Sequence, residues 1–168
     1  LAYNSGIIHN VKNSFLAKIQ IPFFLTSQFL KSNKLLLENN IELIHSHWLI
    51  PQGFIGVILK LIYNKPLIVT IHGSGFLPLK NKQFRKLQDF ILYNANVITI
   101  NSLTAKRELI NRFPNLNQDK IKLIPMGIDL NIFKPTSINN KDTNILFVGR
   151  IVEQKGLKYL IKAIKKIN

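Results

Sequence analysis

Two segments place imidazoles beside small residues at the ends of short apolar runs. His45-Ser46-His47-Trp48 follows one run and leads through Pro51-Gln52-Gly53 into a helical pattern. His72-Gly73-Ser74-Gly75 follows the next. In an open parallel sheet, ligands bind beyond the carboxyl ends of the strands. An imidazole there can bond a ligand hydroxyl or move a proton. Period-2 geometry puts His45 and His47 on one side of a continuing strand. Their rings either face a cleft or satisfy local backbone groups, and composition alone leaves both open. Glycine at 73 and 75 allows close backbone approach. No carboxylate or Cys stands near enough in sequence to His45, His47 or His72 to complete a metal site, so no metal is expected.

Two further segments carry charge or turn chemistry. Gly149-Arg150 and Lys155-Gly156 flank a loop that opens a helix. A helix amino end offers unpaired amides to phosphate, and Arg and Lys add donors of different shape. This pair reads as a phosphate contact, with a solvated surface as the alternative. Pro125-Met126-Gly127-Ile128-Asp129 follows another apolar run. Gly127 permits a tight turn there, and Asp129 can cap the turn after it. Neither a dinucleotide fingerprint nor a phosphate loop ending in Gly-Lys-Ser/Thr is present.

The elements that must position these residues are strands over 42–45, 67–71, 97–100, 121–124 and 145–148. Helices are expected over 23–39, 51–63, 82–93, from a Ser102 cap to 112, and over 157–164. Strand alternating with helix predicts an α/β fold, a parallel sheet covered on both faces. The polar stretch before 145 marks a boundary. The expected organisation is a domain over 1–130, a linker over 131–144, and the start of a second sheet domain over 145–168.

Across 168 residues, 46% are hydrophobic and only 18% charged, which suits a packed core rather than a disordered basic tail. The absence of Cys excludes disulfides and thiolate metal sites. The net charge of +15 is spread along the chain without a nucleic-acid reading motif, so no nucleic-acid partner is expected. No secretory leader is visible, nor an apolar run of about eighteen residues. The expected compartment is the cytoplasm, with the inner face of an anionic membrane as a further station for Phe23-Phe24-Leu25 and nearby lysines. Leu1 opens the chain and a helix closes it, so truncation at both ends is expected.

In order and spacing these pieces resemble the GT-B glycosyltransferases of glycosyltransferase family 4. The resemblance rests on His45-Ser46-His47-Trp48 with Pro51 and Gly53, Ile71-His72-Gly73, and the run from Val97 to Ser102. It continues through Ile124-Pro125-Met126-Gly127-Ile128-Asp129 with Phe133 and Pro135, then Phe147-Val148-Gly149-Arg150 with Lys155-Gly156-Leu157. Met126 stands where the family has Asn. The family's opening glycine-rich loop has no clear counterpart before His9, and its later motif of two glutamates has none either.

That resemblance implies two Rossmann-like domains, the acceptor-side one nearly complete here and the donor-side one represented by its first strand and helix. It implies retaining transfer of a sugar from a nucleotide-sugar to a saccharide or lipid-linked hydroxyl, without a bound cofactor. His72 matches the histidine near the transferred sugar and carries the catalytic assignment. His45, His47, Gly73 and Ser74 fall in the acceptor or sugar cleft. Arg150 and Lys155 match the donor-diphosphate contacts, while Gly127, Asp129, Gly149 and Gly156 shape loops. The other readings are a non-catalytic remnant with an acceptor-like cleft, or an epimerase or phosphorylase on the same fold. The 168-residue chain by itself is expected to be inactive.

Overall fold

The computed structural model describes residues 14–72, 82–134 and 145–167. Four of the apolar runs become strands: β1 (Ile44–His47), β2 (Leu67–Ile71), β3 (Val97–Ile100) and β4 (Ile121–Leu123). They lie side by side in the order β1-β2-β3-β4, all parallel. β1 starts later than the apolar pattern suggests because its ladder opens where Ile44 N–H donates to the Pro66 carbonyl. It consequently extends to His47.

The helices are α1 (Phe15–Glu38), α2 (Phe54–Tyr63), α3 (Lys82–Asn94), α4 (Leu103–Arg112) and α5 (Leu157–Ile164). Ser102 caps α4, its Oγ accepting from Ala105 N–H at 3.2 Å. The helix expected from Pro51 begins only at Phe54. Residues Leu49–Gly53 instead form an irregular turn in which Ile50 is extended. The helix expected from Phe23 begins at Phe15 and runs through Pro22. Proline forfeits one helical donor, yet its ring holds a helical φ.

Alternation along the strands sorts the core. Leu67, Val69, Ile71, Ile98, Ile100 and Ile121 are buried against Val57, Ile91, Leu92, Ala105, Leu109 and Phe113. Residues of the opposite parity, including Ile68, Thr70, Val97 and Thr99, are only half-buried. The parallel sheet with its packed helices is the α/β architecture expected. Successive right-handed crossovers that step in one direction deliver their helices to the same side.

The sheet belongs to the unit Ile19–Ile128, and Asp129–Asn168 belong to a second unit. Residues 145–148, expected as a strand, pair with no described residue, and Leu146 and Val148 are more than four-fifths exposed. A strand exists through its ladder, and the apolar run alone does not supply one. Of the expected linker, 135–144 lie outside the described residues. No helix among the described residues is long and apolar enough to cross a membrane.

Candidate functional site

β1 sends its side chains to two different tasks. Ser46 points to the buried face, where α2 passes so closely that a Cβ on Gly56 would collide with Ser46 Oγ and sit 2.8 Å from Leu67 Cδ1. This close passage requires glycine. His45 and His47 lie on the opposite, half-open face. Register then aligns His47 with Thr70, Thr70 with Thr99, and Thr99 with Lys122. A polar row thus crosses the carboxyl-terminal part of an otherwise apolar sheet.

Side-chain bonds run along this row. His45 Nε2 lies 2.7 Å from Thr70 Oγ1, which lies 2.6 Å from Thr99 Oγ1. His47 Nδ1 lies 2.8 Å from His72 Nε2. Ring centroids are 4.4 Å apart for His45 and His47 and 5.1 Å for His47 and His72. The Trp48 ring stands 5.4 Å from His72. The bonded partners that these contacts give the three imidazoles are hydroxyls and one another. Burial holds His45 below the ordinary histidine pKa, and repulsion from protonated His47 and His72 pushes in the same direction.

Backbone strain marks the same corner. Trp48 has φ of 77°, costly for a bulky side chain. Its N–H donates to the Thr70 carbonyl at 2.9 Å, and its own carbonyl accepts from Gly53 N–H at 3.0 Å. Those two bonds hold the chain as it leaves the sheet. Beside β1, a cavity of about 430 Å³ opens between α1, β1 and α2. Gln28, Ser46, Gln52 and Trp48 contribute to its wall with His45 and His47. The buried Oε1 atoms of Gln28 and Gln52 have no hydrogen-bond partner among the described residues. A hydroxylated ligand could satisfy such acceptors while its carbon skeleton met the apolar remainder of the wall.

His45, His47 and His72 are thus brought together. Gly73 and Ser74 lie outside the described residues. Gly127 does not adopt a positive φ, and a Cβ there would meet nothing within 4 Å, so this conformation makes no demand for glycine. Asp129 does cap its turn, with Oδ1 accepting from Asn131 N–H at 2.8 Å. In the second unit, Gly149 and exposed Arg150 precede a short turn, Glu153–Lys155. Lys155 is also exposed, and Gly156, with φ of 70°, introduces α5. Glu153 pairs with Lys158, whose hydrogen bond and charge lower the Glu153 pKa.

Sequence reasoning missed Thr70 and Thr99, whose hydroxyls extend the histidine cluster. A usable signal was present: each is the polar residue near the carboxyl end of an otherwise apolar strand. Gln28 and Gln52 carried no comparable signal. Among the described residues, no group of three His, Asp or Glu side chains is arranged to hold a metal.

Comparison with known proteins adds a family to this geometry. The family model described as Glycosyltransferase Family 4 matches residues 2–132. An uncharacterized glycosyltransferase of Methanocaldococcus jannaschii is 34% identical over 168 residues, covering 99% of this chain and 45% of the relative. A D-inositol 3-phosphate glycosyltransferase of Arthrobacter is 28% identical over 142 residues, covering 73% of this chain and 33% of the relative. An alpha-maltose-1-phosphate synthase of Mycolicibacterium smegmatis is 26% identical over 150 residues, with 74% and 38% covered. The chain spans less than half the length of these curated relatives.

Proposed function

Because this chain belongs to glycosyltransferase family 4, we propose that its protein transfers a sugar from a nucleotide-sugar to a hydroxyl of a saccharide or lipid-linked acceptor, with retention at the anomeric carbon. The observation that carries this reading is the group of three imidazoles at the carboxyl ends of β1 and β2. A relative named for D-inositol 3-phosphate supports a polyhydroxylated acceptor.

In the proposed reaction the bond from the anomeric carbon to the diphosphate oxygen breaks, and its electron pair leaves with the phosphate. The acceptor oxygen bonds that carbon from the same face, and its proton passes to the departing diphosphate. His72 bonds a hydroxyl of the transferred sugar and holds it for this exchange. Arg150 and Lys155 stabilise the charge that grows on the leaving group. Their exposure on a glycine-bounded loop supports that role.

The test uses the complete reading frame that contains this sequence, a panel of nucleotide-sugars and a lipid and saccharide acceptor extract, with products read by mass spectrometry. His72→Ala is expected to lower kcat about 100-fold. Lys155→Ala is expected to raise the donor KM about 30-fold, equivalent to roughly 2 kcal/mol for a charged contact, while leaving the acceptor KM alone. Turnover that ignores both substitutions would refute the assignment of these residues. Absence of transfer with every donor would refute the reaction.

A station on an anionic membrane belongs to the same proposal. Its support is α1, which exposes Phe15, Leu16 and Phe23 along a helix that carries Lys18 and Lys31. Partition of the chain into anionic vesicles should exceed that into neutral ones and weaken with salt. Equal, salt-insensitive partition would remove this part of the reading.

A further inference from the structure

The contact between His47 and His72 joins residues 25 apart in sequence through their ring nitrogens. A hydrogen bond between two imidazoles needs a proton on one nitrogen and a lone pair on the other. Two imidazolium rings cannot make it. Each ring's tautomer is therefore tied to that of its neighbour.

We propose that His47 is the positioning residue for His72, holding its ring and sharing one proton with it across the Nδ1–Nε2 contact. The role in sugar transfer rests on the function proposed above, whereas the pairing itself stands on geometry. His72 follows the last residue of β2, and among the described residues its ring nitrogen meets His47. His47 is itself anchored within β1, in register with Thr70. A strand residue thus gives a rigid hold to a residue at a strand end.

The surroundings favour a shared proton over a charged pair. From β1, His45 approaches His47 to 4.4 Å between ring centroids. From β2, Thr70 presents a hydroxyl already engaged by His45 and Thr99. The turn after β1 supplies the neutral Trp48 ring, and Lys122 closes the polar row on β4. Among the described residues no carboxylate pairs with any of the three rings. A second positive charge in the pair would meet repulsion, with no carboxylate paired to it among the described residues.

His47→Phe preserves a ring and removes the bonding nitrogen. His47→Asn places an amide near the position of Nδ1 and does not titrate. The expected result, by long-range ¹H–¹⁵N correlation on the chain, is that His72 holds a single tautomer in the wild type. In His47→Phe it should show mixed tautomers, and in His47→Asn a single tautomer. Identical His72 tautomer populations in the wild type and both variants would overturn the pairing. Since His47→Asn keeps the contact, a folding failure of His47→Phe leaves the comparison decisive.

In the complete reading frame, His47→Phe should lower kcat about tenfold with the acceptor KM nearly unchanged, and His47→Asn should recover most of it. Unchanged kcat in His47→Phe would overturn the positioning role. If the wild-type protein transfers no sugar, the transfer reading fails, and the spectra still decide the pairing.

Discussion

At the amino-terminal rim of the sheet, Lys60 donates to the Asn94 carbonyl at 2.6 Å and to Asn96 Oδ1 at 2.7 Å. Asn96 Oδ1 also accepts from Leu67 N–H, and Asn96 N–H donates to the Leu67 carbonyl. Lys120 takes the neighbouring Tyr93 carbonyl. The last carbonyls of α3 thereby receive two lysine side chains, the favourable sign for a helix carboxyl end. At the opposite rim, His45, His47 and His72 use titratable rings and keep capacity for further bonds. One rim is closed by lysine hydrogen bonds to backbone carbonyls. The other is open. The difference separates what holds the sheet together from what is available to a ligand.

That separation breaks first, if it breaks, at Asn96. Asn96→Ala strips an acceptor from both Leu67 N–H and Lys60, and a loss of about 2 kcal/mol is expected in urea unfolding. Lys60→Met should cost less, about 1 kcal/mol, because the desolvated cation leaves together with its bonds. Burial and Lys120 already hold the Lys60 pKa below the ordinary lysine value. Neither variant should move the His45 titration, and a shift in it would show the two rims to be coupled.

The smallest effect concerns His45. Its folded-state pKa lies below the ordinary 6.5, so the unfolded chain takes up this proton first. Its contribution to stability is present above about pH 6.5 and is lost as pH falls through the folded value. Melting temperature should therefore drop on acidification below neutrality. His45→Gln, which keeps an amide near Nε2 for Thr70, should flatten that drop; an unaltered pH dependence would remove His45 from the account.

Much of the architecture was legible because its causes are local. Short β-branched runs, the Ser102 hydroxyl before a helix and the Asp129 carboxylate before a turn each act within a few residues. Where one local rule competed with another, boundaries moved. Proline at 51 suggested a helix start, but extended Ile50 and the turn to Gly53 delay it. The apolar run 145–148 reads as a strand by composition and finds no ladder among the described residues.

Within the site, the chemical types and the shared face of His45 and His47 were readable from period-2 alternation. Their partners were not. Thr70 and Thr99 join the row only through the registers of β1 with β2 and of β2 with β3. Gly56 is demanded only by the approach of α2 to Ser46 and Leu67. The sequence by itself determined the parallel α/β alternation, the family and the imidazoles at the strand ends, because apolar periodicity and motif order are properties of the chain. Only the tertiary structure decided that His47 meets His72 at 2.8 Å and that Asn96 meets Lys60, because hydrogen bonds depend on strand register and helix approach at the scale of an ångström.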